Sequence, residues 1–92
     1  MMAIKRVHAV VFGKVQGIYF RAYAQAEGNK LGIKGWVKNR PDGTVEVVIE
    51  GEPEQVEQMV AWLNQGSPGA QVIKVETKEE RPVGEAQFNI RY

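Results

Sequence analysis

Residues 4 to 12 read Ile-Lys-Arg-Val-His-Ala-Val-Val-Phe. In an extended chain Val7, Ala9 and Val11 fall on one face, and His8, Val10 and Phe12 on the other. Both faces are fairly apolar, so this run predicts a central strand. The loop after it narrows the fold further. Gly13-Lys14-Val15-Gln16-Gly17-Ile18-Tyr19-Phe20-Arg21 is a glycine-bounded loop leading into a helical pattern over 21–31. Phe20, Ala24 and Leu31 share one helical stripe, with Gly28 between them and Gly32 in place to cap the end. A glycine inside a helix costs about 1 kcal/mol against alanine, which close packing on the sheet would explain. Glycines let a loop approach a ligand closely, and successive N–H groups in it can converge on an anion at the helix start. Arg21 adds a bidentate fork that matches phosphate.

The rest of the chain supplies the partners for that unit. Residues 33–39 predict a short strand. Asn39-Arg40-Pro41-Asp42-Gly43 is a dense turn signal, and 44–50 predicts the second arm of a hairpin. Val45, Val47 and Ile49 share one face of that arm; Glu46, Val48 and Glu50 share the other. Pro53 stands where a helix has its first residue, with Glu52, Glu54 and Glu57 near the positive end of its dipole. Val56, Met59, Val60 and Leu63 then form a buried stripe, and Gly66-Ser67-Pro68 ends it. Residues 71–78 read as a strand, 79–86 as a loop and 88–92 as a terminal strand. Trp36 and Trp62 read as core residues. This order is the α+β, ferredoxin-like βαββαβ sandwich: an antiparallel sheet with two helices on one face. No linker or repeat divides residues 1–92, so a single domain is expected.

Composition bears mainly on chemistry. The 92 residues contain no cysteine, which excludes disulfides and thiolate catalysis. No apolar run approaches the ~18 residues of a membrane span, and the start leaves no room for a signal peptide. A cytoplasmic protein is expected. The net charge of +1 hides a division: residues 1–40 carry +7 and residues 41–92 carry −6. Cations around the glycine loop would concentrate an anionic ligand. Lys5, Arg6 and Lys30 read instead as solvated charges on strand and helix surfaces.

If the loop binds phosphate, few hydrolytic mechanisms remain. The only serine, Ser67, lies far along the chain, and His8 has no evident partner to orient it. One acid and one histidine in the first forty residues make a metal site unexpected. The two loop glycines are four apart with no following Lys-Ser or Lys-Thr, so this is no nucleotide P-loop. Attack by water on a phosphoryl group held by backbone N–H groups and arginine remains. That chemistry suits a leaving group needing no help, such as a carboxylate.

Two long motifs now carry a resemblance. Gly-Lys-Val-Gln-Gly-Ile-Tyr-Phe-Arg (13–21) and Gly-Trp-Val-Lys-Asn-Arg-Pro-Asp-Gly-Thr-Val-Glu (35–46) resemble the two signatures of the acylphosphatase family. Leu31-Gly32-Ile33-Lys34, Trp62-Leu63 and Gly66-Ser67-Pro68 match it too, so the similarity covers nearly the whole chain. The resemblance implies a small, cytoplasmic, monomeric enzyme that hydrolyses the carboxyl-phosphate bond of acyl phosphates without metal or other cofactor. By position, it implies that Arg21 binds the phosphate and that Asn39 holds the attacking water. The amides of Val15, Gln16, Gly17, Ile18, Tyr19 and Phe20 would form the cradle. The side chains of Gln16 and Tyr19 are ambiguous, fitting a role in shaping either the loop or its mouth. Ile18 stands where the family commonly has valine and Gly28 where it has alanine; neither touches the chemistry. Inorganic phosphate is expected as product and competitive ligand, with no nucleic-acid or membrane partner. The alternatives are a phosphate sensor or an RNA-binding sheet. The sheet reading is disfavoured by a 44–50 strand with two acids and no aromatic residue. No pocket for the acyl group is legible. The carboxylate after Tyr92 is expected near Arg21, bracing it.

Overall fold

The computed structural model describes residues 3–92. Seven elements run in order: β1 (Lys5–Lys14), α1 (Phe20–Leu31), β2 (Lys34–Asn39), β3 (Val45–Gly51), α2 (Pro53–Gln65), β4 (Gln71–Glu80) and β5 (Phe88–Arg91). The strands form one sheet in the order β4-β1-β3-β2-β5. β1 is central, as its two apolar faces require, and pairs antiparallel with both β3 and β4. β2 pairs antiparallel with β3.

Both helices cover one face. Val7, Ala9 and Val11 of β1, Val37 of β2, and Val45, Val47 and Ile49 of β3 are buried beneath them. From above come Phe20 and Ala24 of α1 and Val56, Met59 and Leu63 of α2. Each large side chain buried here contributes roughly 1.5–3 kcal/mol. Phe20 anchors the start of α1, its ring 5.5 Å from that of Trp62 between centroids. Gly28 has the packing reason expected of it. A Cβ there would lie 2.9 Å from the Phe88 ring, so the glycine lets α1 settle onto β5. Gln25 Nε2 donates to the Phe88 carbonyl at 3.0 Å and fastens the same contact. At the far end of α1, Ile33 N–H donates to the Gly28 carbonyl at 2.8 Å, with left-handed Gly32 as the cap.

Four features depart from the sequence expectation. The sheet is mixed, because β5 runs parallel to β2. β4 lies on the opposite edge, so residues 81–87 must cross the end of the sheet, and the strand they deliver runs the same way as β2. β1 and β4 also run longer than expected, to Lys14 and Glu80. Trp36 is half-buried on the open face, 4.4 Å beneath the Arg91 guanidinium, instead of in the core. Arg6 is not a solvated surface charge. It pairs with Glu50 at 2.8 Å, Glu85 at 2.9 Å and Glu80 at 3.0 Å.

Because β1 and β2 are both antiparallel to β3, they point the same way. Their C-terminal ends, Lys14 and Asn39, therefore meet at one end of the sheet, where α1 begins. This topology assembles the site.

Candidate active site

A β-bulge launches the loop. β1 pairs Phe12 with Lys74 but Gly13 with Val72, so the register against β4 slips between Phe12 and Gly13. Gly13 has φ 131°, and any side chain there would run into the β4 backbone at Gln71. The bulge bends β1 out of the sheet. Val15, wholly buried, then pins the start of the loop to the core.

The loop alternates handedness. Gly17 (φ 77°) and Tyr19 (φ 62°) are left-handed, and Tyr19 is the only non-glycine residue of positive φ among the described residues. Such alternation turns successive N–H groups toward a common concavity that suits an anion. Among the described residues, the amides of residues 16–19 donate no hydrogen bond. α1 also begins with no acidic residue in its first turn and no side-chain cap, so its positive end is left uncompensated. Phe20 and Ile18 pack against the core and fix the loop between them.

Opposite the loop is Asn39, the last residue of β2. The turn after it is closed by Arg40 N–H to the Thr44 carbonyl (2.9 Å) and Gly43 N–H to the Arg40 carbonyl (3.1 Å). Asp42 accepts from the Thr44 amide at 3.0 Å and the Thr44 hydroxyl at 2.6 Å. Those two bonds hold its carboxyl below the usual range. Gln16 ties loop to turn. Its Nε2 donates to the carbonyls of Arg40 and Thr44, both at 2.8 Å.

Loop and strand end enclose a pocket of about 280 Å³ lined by Val15, Gly17, Tyr19, Phe20, Arg21 and Asn39. Of the residues singled out from sequence, those six come together. The Gln16 side chain turns to the β2–β3 turn and Ile18 to the core, so any contribution from these two to the pocket comes through the backbone. The arrangement offers amide donors, a guanidinium and a carboxamide around one small volume. That set suits a tetrahedral anion with a water beside it. Among the described residues no cluster of three or more His, Cys, Asp or Glu is placed to hold a metal ion. His8 does have an orienting partner, against expectation: Nε2 lies 2.7 Å from Glu46 Oε2 across β1 and β3. Both are on the open face, away from the pocket. Ser67 is buried beside α2 and is not among the lining residues.

The relatives of the chain show its family. The acylphosphatase family model matches residues 7–90. The chain belongs to the acylphosphatase family. It is 51% identical over 85 residues to an acylphosphatase of Thermococcus kodakarensis, covering 92% of this chain and 93% of that protein. It is 48% identical over 86 residues to one from Synechococcus, covering 94% and 92%. Its fold overlays the crystal structure of the Bacillus subtilis acylphosphatase with a TM-score of 0.92 at 36% identity, over 98% of this chain and all of that one. In this chain that fold brings the loop, Arg21 and Asn39 together at one end of the sheet.

One contact was not foreseen. Tyr92 meets Arg21 through its ring, 4.8 Å from the guanidinium carbon, and not through the terminal carboxylate. Among the described residues no carboxylate forms an ion pair with Arg21. The sequence signal was the aromatic identity of the last residue, which the expected carboxylate contact obscured.

Proposed function

We propose that this member of the family hydrolyses acyl phosphates to a carboxylate and inorganic phosphate by direct attack of water. What supports the reading is the convergence of Arg21 and Asn39 on one pocket with the glycine loop. The N–H groups of Val15 to Phe20 and the Arg21 fork hold the equatorial phosphoryl oxygens. These donors are fixed before the reaction, so they stabilise developing charge without reorganising. The Asn39 carboxamide orients a water in line with the scissile P–O bond. Its oxygen bonds to phosphorus as the acyl oxygen leaves with the bonding pair. The leaving group is a carboxylate, stable at neutral pH, and needs no general acid. The water proton passes to a phosphoryl oxygen of the substrate, which becomes inorganic phosphate. No metal or other cofactor enters this scheme, and inorganic phosphate competes for the same cradle. The unit that works is a cytoplasmic monomer of one domain.

The test is spectrophotometric hydrolysis of benzoyl phosphate, with and without chelator. Arg21→Ala is expected to lower kcat/KM by about 10³- to 10⁵-fold, as for other arginines on a transferring phosphoryl group. Asn39→Ala is expected to remove most turnover while phosphate still binds. Circular dichroism should report an intact fold in both. Near-full activity in either variant removes that residue from the mechanism, and phosphate binding without wild-type turnover would mean a sensor.

A further inference from the structure

A second hollow adjoins the first. It measures about 250 Å³ and is lined by Tyr19, Arg21, Ala22, Ile90 and Tyr92. Tyr19 and Arg21 belong to both hollows; Asn39 belongs only to the first. Tyr19 and Tyr92 are the most exposed large hydrophobic side chains among the described residues, at 81% and 91%. Neither ring is accounted for by the core. Tyr19 also occupies the left-handed region, which costs a residue with a Cβ roughly 1–2 kcal/mol. A strained backbone that leaves an aromatic ring in water beside a pocket marks a place where the ring has another use.

We propose that this second hollow receives the acyl half of the substrate, and that it favours flat, aromatic acyl groups. The inference rests on the acyl-phosphate reading above. In-line displacement places the attacking water and the leaving oxygen on opposite sides of phosphorus. Asn39 holds the water side. The hollow without Asn39, reached past Arg21, takes the leaving side. There the Arg21 guanidinium borders the departing carboxylate, and Ile90 and Ala22 give an apolar floor. Tyr92 and Tyr19 offer ring faces to an aryl group, and an acetyl group is too small to use them. Tyr92 thus has two partners: Arg21 on its ring, and the acyl group beside it.

The experiment measures kcat/KM for benzoyl phosphate and for acetyl phosphate in the same enzyme. Removing Tyr92 also removes a support of Arg21, but that loss falls on both substrates and cancels in their ratio. Tyr92→Ala is expected to lower the benzoyl-to-acetyl ratio about three- to tenfold, the range of an aromatic stacking contact. Tyr92→Phe keeps the ring and should keep the ratio. Tyr19→Asn, which tolerates the left-handed backbone, should lower the ratio in the same direction. If both substrates are turned over and neither Tyr92→Ala nor Tyr19→Asn moves the ratio by more than twofold, the subsite is wrong and the hydrolase reading stands. If the wild type hydrolyses neither substrate, the hydrolase reading fails and the subsite falls with it.

Discussion

Gln16 commits both its amide hydrogens to one turn. The carbonyls it bonds, Arg40 and Thr44, bracket the turn just after Asn39. The side chain therefore ties the glycine loop to the turn after Asn39, and in the proposed mechanism it sets the distance between the phosphate cradle and the water-orienting carboxamide. Gln16→Glu keeps the shape but replaces both donors with an acceptor facing two carbonyls. A misplacement of about 1 Å near reacting atoms costs on the order of 10²-fold. Gln16→Glu is expected to lose ten- to a hundredfold, mostly in kcat, because the water rather than the phosphate is displaced. Steady-state kinetics with phosphate inhibition in parallel will check this; a loss confined to KM would argue against it. In the sequence Gln16 was ambiguous, since a glutamine in a loop has no local pattern that names its partners 24 and 28 residues away. Arg21 and Asn39, which the structure brings to one pocket, stand out in the sequence because the motifs around them are long.

Among the elements, the 81–87 crossing has no helix or strand of its own but has a buried anchor. Glu50, 3% exposed at the end of β3, accepts from the amides of Val83 (2.8 Å), Gly84 (3.2 Å) and Glu85 (3.0 Å). Burial alone would push its carboxyl up. The amides of Val83 and Glu85 and the Arg6 guanidinium more than offset that and leave it below the ordinary value of 4.5. The Arg6 guanidinium loses hydration in this place, yet its three carboxylates raise its affinity for the proton. A lowered carboxyl stabilises the fold fully above pH 4.5, where the unfolded chain is also ionised, and less as pH falls through the folded value. Glu50→Gln is expected to cost about 2 kcal/mol at pH 7, the worth of charge-assisted hydrogen bonds. The gap to wild type should narrow as pH drops below 4.5. Denaturant melts at several pH values measure this, and a gap independent of pH would rule out the ionised anchor. The anchor was hidden in the sequence, where Arg6 and Glu50 looked like ordinary alternating charges. It was the crossover from β4 to the opposite edge that brought residues 83–85 to them.

Across the whole molecule, cations gather around the pocket's end of the sheet. Lys14, Lys38, Arg40 and Arg91 lie toward the end where Arg21 and α1 begin, with Asp42 and Glu46 among them. At the other end Glu50, Glu52, Glu54, Glu57, Glu79 and Glu80 are interleaved with Lys5, Arg6 and Lys34. Charges further off than the ~8 Å screening length at physiological salt hardly act on the pocket, so the nearby cations set its field. An anionic substrate should be drawn to the basic end. kcat/KM for an acyl phosphate is expected to fall several-fold between about 10 mM and 0.5 M salt. Lys14→Gln with Lys38→Gln should flatten that dependence. An equal slope in the double variant would show that the loop and Arg21 alone set the field. Among the described residues no helix is long and apolar enough to cross a membrane.

Element order, the faces of β1, β3 and α2, and the glycine loop entering a helix can all be read along the chain. These are local matters of period two, period 3.6 and backbone freedom, written in neighbouring residues. The sequence also carried the family resemblance, through two long motifs. It took the folded arrangement to show that β5 runs parallel to β2, that His8 faces Glu46, and that Arg6 sits among three glutamates. That arrangement alone put the Tyr92 ring, not its carboxylate, on Arg21 and opened the second hollow beside it. Each of these depends on which strands lie side by side and in what register and direction. That is a property of topology, and no window of sequence contains it.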